Sequence, residues 1–142
     1  MKRFLILLVL GSLLLAGCQA AGSNSEPTDP AAVMDAYAAA INAHDVEKAL
    51  SYVADDAVYD RAVGGFNGKE EVRVFIESII ARNVQVSVVG ERQVDGERVT
   101  WRSRVMLDDP ENPGGPQIEN NLNSESIVRN GKIVMHTARP AQ

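Results

Sequence analysis

Residues 37–61 read YAAAINAHDVEKALSYVADDAVYDR, and this stretch decides the fold. Apolar side chains recur there at helical spacing, which predicts a first helix with a buried stripe of Val33, Tyr37, Ala40, Ile41 and His44. Asp45 ends this helix and can cap a second one, whose stripe is Val46, Ala49, Leu50 and Val53. Residues 54–57 are predicted to turn the chain, and residues 58–60 to form a short strand.

The flanking segments extend this pattern in both directions. Asp29 followed by Pro30 is a strong start signal for the first helix. The glycine-rich residues 64–68 are predicted to be a loop that connects the strand to a third helix. That helix is expected over residues 69–82, with a buried face made of Val72, Phe75, Ile76, Ile79 and Ile80.

After Asn83 the sequence predicts strands only. Asp95-Gly96 and Asn130-Gly131 suit two-residue hairpin turns, and the prolines within residues 108–116 predict a long turn that cannot pair as a strand. Three helices and a run of antiparallel strands make an α+β domain over residues 30–140. A curved sheet around helices leaves a pocket at its open end, which is the usual ligand site in such a shape.

The N-terminus predicts a targeting signal over residues 1–17. Lys2 and Arg3 precede an apolar run, and small residues then lead to Cys18. This arrangement resembles the lipobox of a bacterial lipoprotein, which implies lipidation of Cys18 and a membrane anchor in the cell envelope. Residues 18–29 are small and polar and are expected to form a flexible tether. Gln19, which follows the cysteine, favours the outer membrane if the cell is Gram-negative.

The composition excludes several classes of function. The chain has 14 basic and 19 acidic side chains, and loss of Lys2 and Arg3 with the signal would leave 12 basic side chains, a net charge of −7. This acidic balance argues against nucleic acid as a partner. Cys18 is the only cysteine, and the two histidines, His44 and His136, lack ligand-like spacing. We therefore expect no disulfide, no metal site and no cofactor.

The strand alternation separates inward from outward side chains. In the strand after Asp95-Gly96, the face expected to point inward carries Val99, Trp101, Ser103, Val105 and Leu107, and the outer face carries Arg98, Thr100, Arg102 and Arg104. Trp101 is either a core residue or a platform for a ligand. The strand from Ile118 has no clean apolar face, so it either lines a polar cavity or lies at an edge or interface. The cavity is the preferred interpretation.

Residues 37–60, the segment FNGKEEVRVFIESI at residues 66–79 and a final strand pair around residues 129–132 resemble the nuclear-transport-factor-2-like (NTF2-like) superfamily. Its bacterial branch includes the SnoaL-like proteins and the ketosteroid isomerases. The resemblance covers residues 30–140 and implies a cone of three helices packed on a curved antiparallel sheet. It implies a fold more than an activity, because this superfamily places many functions on one scaffold.

The ketosteroid isomerases suggest roles for four residues. In those enzymes a carboxylate removes a proton beside a carbonyl group, and a tyrosine and a protonated acid stabilise the resulting oxyanion. By resemblance, Tyr37 falls on the tyrosine and Glu125 near the acid, whereas Arg61 falls on the base. An arginine cannot accept a proton, and Asp60, one residue away, belongs to the opposite strand face. Tyr37, Asp60 and Glu125 are therefore the candidate catalytic residues, with the base missing or moved.

Each candidate also has a purely structural interpretation. Arg61 is either an anion-binding residue or a surface partner of Asp60 or Asp56. Tyr37 is either a pocket residue or a core tyrosine, and Glu125 is either an acid or a solvated side chain. The candidate ligand-binding residues are thus Tyr37, Arg61, Trp101 and Glu125.

Three classes of function fit these observations. The first, which we favour, is a tethered module that binds a small apolar or anionic molecule in its cone. The second is an isomerase, cyclase or dehydratase that uses Asp60 or Glu125 as an acid–base group. The third is an interaction module, in which the open face of the sheet joins a second copy or another protein.

Overall fold

The computed structural model describes residues 25–142, which form three helices and six strands. The helices are α1 (Pro30–Asn42), α2 (Val46–Ser51) and α3 (Lys69–Ile80), and the strands are β1 (Val53–Arg61), β2 (Gly64–Asn67), β3 (Gln85–Asp95), β4 (Arg98–Leu107), β5 (Ile118–Arg129) and β6 (Lys132–Pro140). The predicted signal, Cys18 and most of the predicted tether lie outside the described residues. From residue 25 onward, no helix has the length and apolar character needed to cross a membrane.

All six strands belong to one curved sheet, and the α+β prediction is confirmed. The strand order is β2-β1-β6-β5-β4-β3. β1 runs parallel to β6 and every other neighbouring pair is antiparallel, so the sheet is mixed and not wholly antiparallel as predicted. α1 lies against β3, β4 and β5, and α3 lies against β1 and β2. The helices therefore cover one face of the sheet, and no element within residues 25–142 covers the other face.

Local capping confirms where the first two helices begin. The Asp29 carboxylate accepts a hydrogen bond from the Ala32 amide at 2.9 Å, and Asp45 accepts one from Lys48 at the same distance. α1 ends at Asn42, and His44 follows with a φ of 58°. The amides of His44 and Asp45 donate back to the last turn of α1, which is a Schellman ending. His44 is exposed there, so its assignment to the buried stripe is wrong.

Two segments that were predicted to be irregular are strands. Residues 54–57 belong to β1, where the pairing with β6 passes from Val53 opposite Ile133 directly to Val58 opposite Met135. The extra residues form a β-bulge, which bends the strand locally. The prediction of a turn at these residues is therefore wrong, although the strand is irregular there. Residues 64–67, predicted to be a loop, form β2 and pair with the end of β1. Glycine lacks a Cβ and accommodates this edge strand as readily as a loop.

The predicted hairpin turns are close to the observed ones. Asn130 and Gly131 both have positive φ angles, 51° and 74°, as a type I′ turn requires. The other two-residue turn consists of Gly96 and Glu97, between paired Asp95 and Arg98, one residue later than predicted. Residues 108–117 form the expected long connection between β4 and β5.

The predicted faces of β4 are confirmed. Val99, Trp101, Ser103 and Leu107 are buried, whereas Arg98, Arg102 and Arg104 are exposed. On β5 the face with Ser124, Ser126 and Val128 is buried, and its Asn120 and Leu122 line a cavity, as the preferred interpretation of this strand required. This inward face accommodates polar residues because Asn120 and Ser124 line the cavity and the buried Ser126 is hydrogen-bonded to His136.

Candidate functional site

A cavity of about 660 Å³ lies between α1, α3 and the concave face of the sheet. Val63, which is 82% exposed, marks its mouth, and the buried Tyr37, Trp101 and His136 form its deep end. Most of the wall is apolar and comes from every layer of the fold: Met34, Ile41, Phe66, Phe75, Ile79, Val84, Val86, Val105, Leu107, Ile118 and Leu122. The size and the lining suit a small, largely apolar molecule.

The charged side chains of the cavity wall are all cationic. Arg61, Arg82 and Arg92 line it, and no aspartate or glutamate of the described residues does. The whole chain, in contrast, has a net charge of −5. The cavity is therefore an electropositive pocket in an acidic protein, and we expect it to favour a negatively charged group.

Arg61 is a half-buried cation without a carboxylate partner in the described part of the chain. Its guanidinium lies over the rings of Phe75 and Tyr59, at 4.8 and 5.4 Å from their centroids, and its Nε is buried without a hydrogen-bond acceptor. Burial lowers the pKa of Arg61, although nearby Tyr37 and Tyr59 oppose the shift, and an arginine stays charged at any working pH. The predicted surface pair of Arg61 with Asp60 or Asp56 is wrong.

Arg92 is a second cation at the deep end. Its Nε donates to the Asp35 carboxylate of α1 at 2.8 Å, and its guanidinium lies 4.6 Å from the centroid of the Trp101 ring. Its Nη1 is buried without an acceptor. Arg92 could not be assigned to the cavity from the sequence, because β3 changes register between Val89 and Gln93 and simple alternation does not carry through that irregularity.

His136 lies between these cations in an aromatic cluster. Its ring stacks on Trp101 with 5.6 Å between the centroids and 5° between the planes, and it meets the ring of Tyr59 edge-on at 5.2 Å. Nδ1 is 3.1 Å from the Glu125 carbonyl oxygen and 2.8 Å from Ser126 Oγ. A carbonyl oxygen only accepts, so we assign the proton of the neutral ring to Nδ1. Nε2 is then an acceptor, and it has no hydrogen-bond partner within residues 25–142.

His136 is held in its neutral form. Burial lowers its pKa well below the ordinary value of 6.5, and the positive charges of Arg61 and Arg92 act in the same direction. The hydrogen bond to the Glu125 backbone opposes them but does not reverse the shift. A neutral imidazole with a free Nε2 therefore faces the cavity at physiological pH.

This shift predicts that the protein becomes less stable as the pH falls below 6.5. The unfolded chain takes up a proton at His136 there, whereas the folded chain does not, so protonation favours unfolding. We expect the free energy of unfolding, measured by urea titration between pH 7.5 and 5, to decrease toward low pH. His136→Gln should flatten this slope, and a slope that is unchanged in the variant would contradict the assignment.

Two tyrosines complete the deep end. Tyr37 projects from α1 into the cavity wall, and Tyr59 lies behind it with 6.4 Å between the ring centroids. Burial raises the pKa of both phenols, well above 10 for Tyr59, so both stay protonated. The Tyr59 hydroxyl is buried without a hydrogen-bond partner among the described residues. The Tyr37 hydroxyl is therefore a hydrogen-bond donor beside Arg61 and His136.

The structure places some of the predicted site residues in the cavity and others on the outer face of the sheet. Tyr37, Arg61 and Trp101 line the cavity. Asp60 lies on the opposite face and pairs with Arg139, and Glu125 pairs with Arg98 at 3.4 Å on that same outer face. The expectation that Glu125 reaches the pocket is wrong, because strand alternation points its buried neighbours on β5 inward and Glu125 outward. No group of three or more histidine, cysteine, aspartate or glutamate side chains in residues 25–142 could hold a metal ion.

His136 is a cavity residue that the sequence analysis did not predict, because the spacing of the two histidines bears only on metal binding. Alternation along β6 places His136 on the same inward face as Ala138, which is also buried and also lines the cavity. That signal was present in the sequence. The protonation state and the surroundings of His136, however, depend on Trp101, Arg61 and Arg92, which come from three other strands.

A curved sheet backed by three helices and enclosing a cavity is the arrangement of the NTF2-like superfamily. The sequence profile of the SnoaL-like domain matches residues 34–136, and the chain belongs to that family. No curated protein is similar to it in sequence.

Solved structures show the same fold. A protein with a ketosteroid isomerase-like fold from Catenulispora acidiphila, in complex with trimethylamine, has 18% identity and a TM-score of 0.68 over 77% of this chain and 85% of its own. SalBIII, an epoxide hydrolase/cyclase-like enzyme of pyran ring formation in salinomycin, has 16% identity and a TM-score of 0.70 over 78% and 88%. An NTF2-like protein of unknown function from Cytophaga hutchinsonii has 11% identity and a TM-score of 0.66 over 81% and 92%.

Proposed function

We propose that this protein is a lipid-anchored, extracytoplasmic SnoaL-like domain that binds a small amphipathic organic anion in its cavity. The apolar wall would hold the body of the ligand, and the arginines would hold its charged group. Hydrophobic contact with the wall supplies affinity, and a few placed polar groups fix the orientation of the ligand.

One observation carries the proposal: the cavity has three arginines and no acidic side chain from residues 25–142. A buried or half-buried charge without a partner is unfavourable, so proteins rarely keep one unless something satisfies it. Arg61 has no carboxylate partner in the described chain, and its Nε lacks an acceptor. A carboxylate from a ligand would supply the missing charge and could accept two parallel hydrogen bonds from a guanidinium.

The anchor and the location of the protein rest on the N-terminal sequence. The apolar run, the small residues before Cys18 and the polar segment over residues 18–29 together favour a lipidated cysteine and a tether. In this arrangement the domain would stand off the membrane surface with its cavity accessible to small molecules of the envelope.

The alternative functions receive less support. SalBIII, which has this fold, is an epoxide hydrolase/cyclase-like enzyme, and this chain could be an acid–base enzyme too, but its Asp60 and Glu125 lie outside the cavity and are paired with arginines. These two carboxylates are therefore poorly placed to act on a ligand in the cavity. Pairing of two copies through the outer face of the sheet stays a prediction.

A matched pair of ligands tests the binding proposal. Decanoate and 1-decanol share an apolar chain and differ in charge, and binding to the full-length protein can be followed through Trp101, its only tryptophan. We expect decanoate to bind at least about 10-fold more tightly, because a charge-assisted hydrogen bond is worth about twice a neutral one. Equal affinities would contradict an anion site, and failure of both ligands to bind would contradict a ligand-binding cavity of this kind.

A cysteine variant tests the anchor. Wild-type protein expressed in a bacterium should incorporate labelled palmitate and sediment with the membranes. Cys18→Ala should lose the label because the sulfur that carries the lipid is absent. Equal labelling of both proteins would contradict lipidation at Cys18.

A further inference from the structure

The deep end of the cavity contains a histidine, His136, to which the proposed binding of an anion by arginine assigns no role. His136 lines the cavity, its Nδ1 is occupied by the Glu125 carbonyl and by Ser126, and its Nε2 is free. Tyr37, Arg61 and Arg92, which also line this end, can each donate a hydrogen bond. An acceptor therefore lies among donors in a pocket built for a negative charge.

This acceptor conflicts with a bound carboxylate unless His136 gains a proton. A carboxylate only accepts hydrogen bonds, so its lone pairs and the lone pair of a neutral Nε2 would repel each other. With a proton on Nε2, the ring becomes a donor on both sides. It then donates from Nδ1 to the Glu125 carbonyl and from Nε2 to the ligand.

The charges around His136 decide which form the ring adopts. The groups that face it are Tyr37 from α1, Tyr59 and Arg61 from β1, Arg92 from β3, Trp101 from β4, and the Glu125 carbonyl and Ser126 from β5. None of the side chains in this set is acidic, and Arg92 is compensated by Asp35 whereas Arg61 is not. An anion beside Arg61 would cancel the repulsion that now opposes a positive imidazole.

We propose that the cavity binds the anion of a weak organic acid together with one proton, which His136 takes up at Nε2, so that the carboxylate accepts hydrogen bonds from both Arg61 and the imidazolium. This inference rests on the proposed function and adds a proton to it. The proton comes from the solvent, and no covalent bond of the ligand changes.

A consequence is that affinity depends on pH in a defined direction. The free protein keeps His136 neutral, and the bound anion raises the pKa of the ring, since opposite charges favour the ionised form. Binding should therefore strengthen as the pH falls from 8 toward 6, by up to about 10-fold for each pH unit where one proton is taken up. The site would favour its ligand in a mildly acidic compartment.

Calorimetry measures the proton directly. Decanoate is titrated into the full-length protein at pH 7.5 in two buffers that differ in their heat of ionisation, and the difference between the two binding heats gives the number of protons taken up. We expect proton uptake by the wild type that increases as the titration is repeated at lower pH down to 6, and uptake near zero for His136→Gln, whose side chain cannot become cationic. His44→Asn is the matched control, because His44 is exposed and does not line the cavity.

The outcomes separate the two proposals. Binding of decanoate with no proton uptake by the wild type would overturn the role of His136 and leave the anion site intact. Absence of decanoate binding would overturn the proposed function itself. If His136→Gln does not fold, the wild-type uptake and the pH dependence of its affinity still decide, because affinity that stays constant between pH 8 and 6 also contradicts the inference.

Discussion

Arg61→Gln is expected to weaken decanoate binding by about 100-fold, since removing one member of a desolvated charge pair costs roughly 2–5 kcal/mol. The binding of 1-decanol should change much less, because its hydroxyl makes no ion pair with the guanidinium. The measurement is the quenching or shift of Trp101 fluorescence during titration with each ligand. The difference between the two ligands, and not the affinity of either one, reports the anion site.

Arg98→Gln is the matched control for this experiment. Arg98 is also a strand arginine, but it pairs with Glu125 on the outer face of the sheet and does not line the cavity. Arg98→Gln removes one positive charge from the protein just as Arg61→Gln does, so a general effect of net charge would appear in both variants. Comparable losses in the two variants would contradict a specific role for Arg61.

Arg61→Gln should not destabilise the protein in the absence of a ligand. Arg61 is half-buried without a carboxylate partner within residues 25–142, and its Nε has no acceptor, so only its contacts with the Phe75 and Tyr59 rings offset the cost of burying its charge. We expect the free energy of unfolding of Arg61→Gln to equal or exceed that of the wild type. This opposite behaviour of stability and binding is typical of a residue that serves a ligand.

Ile76→Ala is expected to lower the free energy of unfolding by about 2–5 kcal/mol, because it removes buried methyl groups and leaves a void under α3. Ile76 is fully buried, and with Val72 it forms the face that holds this helix against β1 and β2. Urea unfolding at neutral pH measures the effect. Since α3 also carries Phe75 and Ile79 of the cavity wall, we expect ligand binding to weaken as well.

Val74→Ala provides the control on the same helix. Val74 is 62% exposed, and the substitution likewise replaces a β-branched residue by alanine. Surface changes of this kind usually alter the free energy of unfolding by less than about 0.5 kcal/mol. Similar destabilisation by both variants would contradict a specific role for Ile76 in packing against the sheet, because alanine is the better helix former and propensity alone would stabilise both.

Much of the fold was readable in the sequence. Helical spacing around Tyr37 and Ile41, the caps at Asp29 and Asp45, and the Asn130-Gly131 turn each depend on residues close together in the chain. Local physical chemistry is sufficient for such features, and alternation also assigned the two faces of β4 correctly. The errors occurred at the β1 bulge and at β2, where pairing with a distant or neighbouring strand overrides the turn-like composition.

The sequence by itself therefore determined an α+β domain with its caps, its strand faces and three residues of the cavity wall, Tyr37, Arg61 and Trp101. Only the tertiary structure decided the chemistry of the site. It paired Asp60 with Arg139, placed Glu125 on the outer face, put Arg92 at the cavity after a register change in β3, and placed His136 between two cations and against Trp101. The physical reason is that charge and protonation depend on burial and on neighbours from other strands, and these distances exist only once the sheet has curved and closed around the cavity.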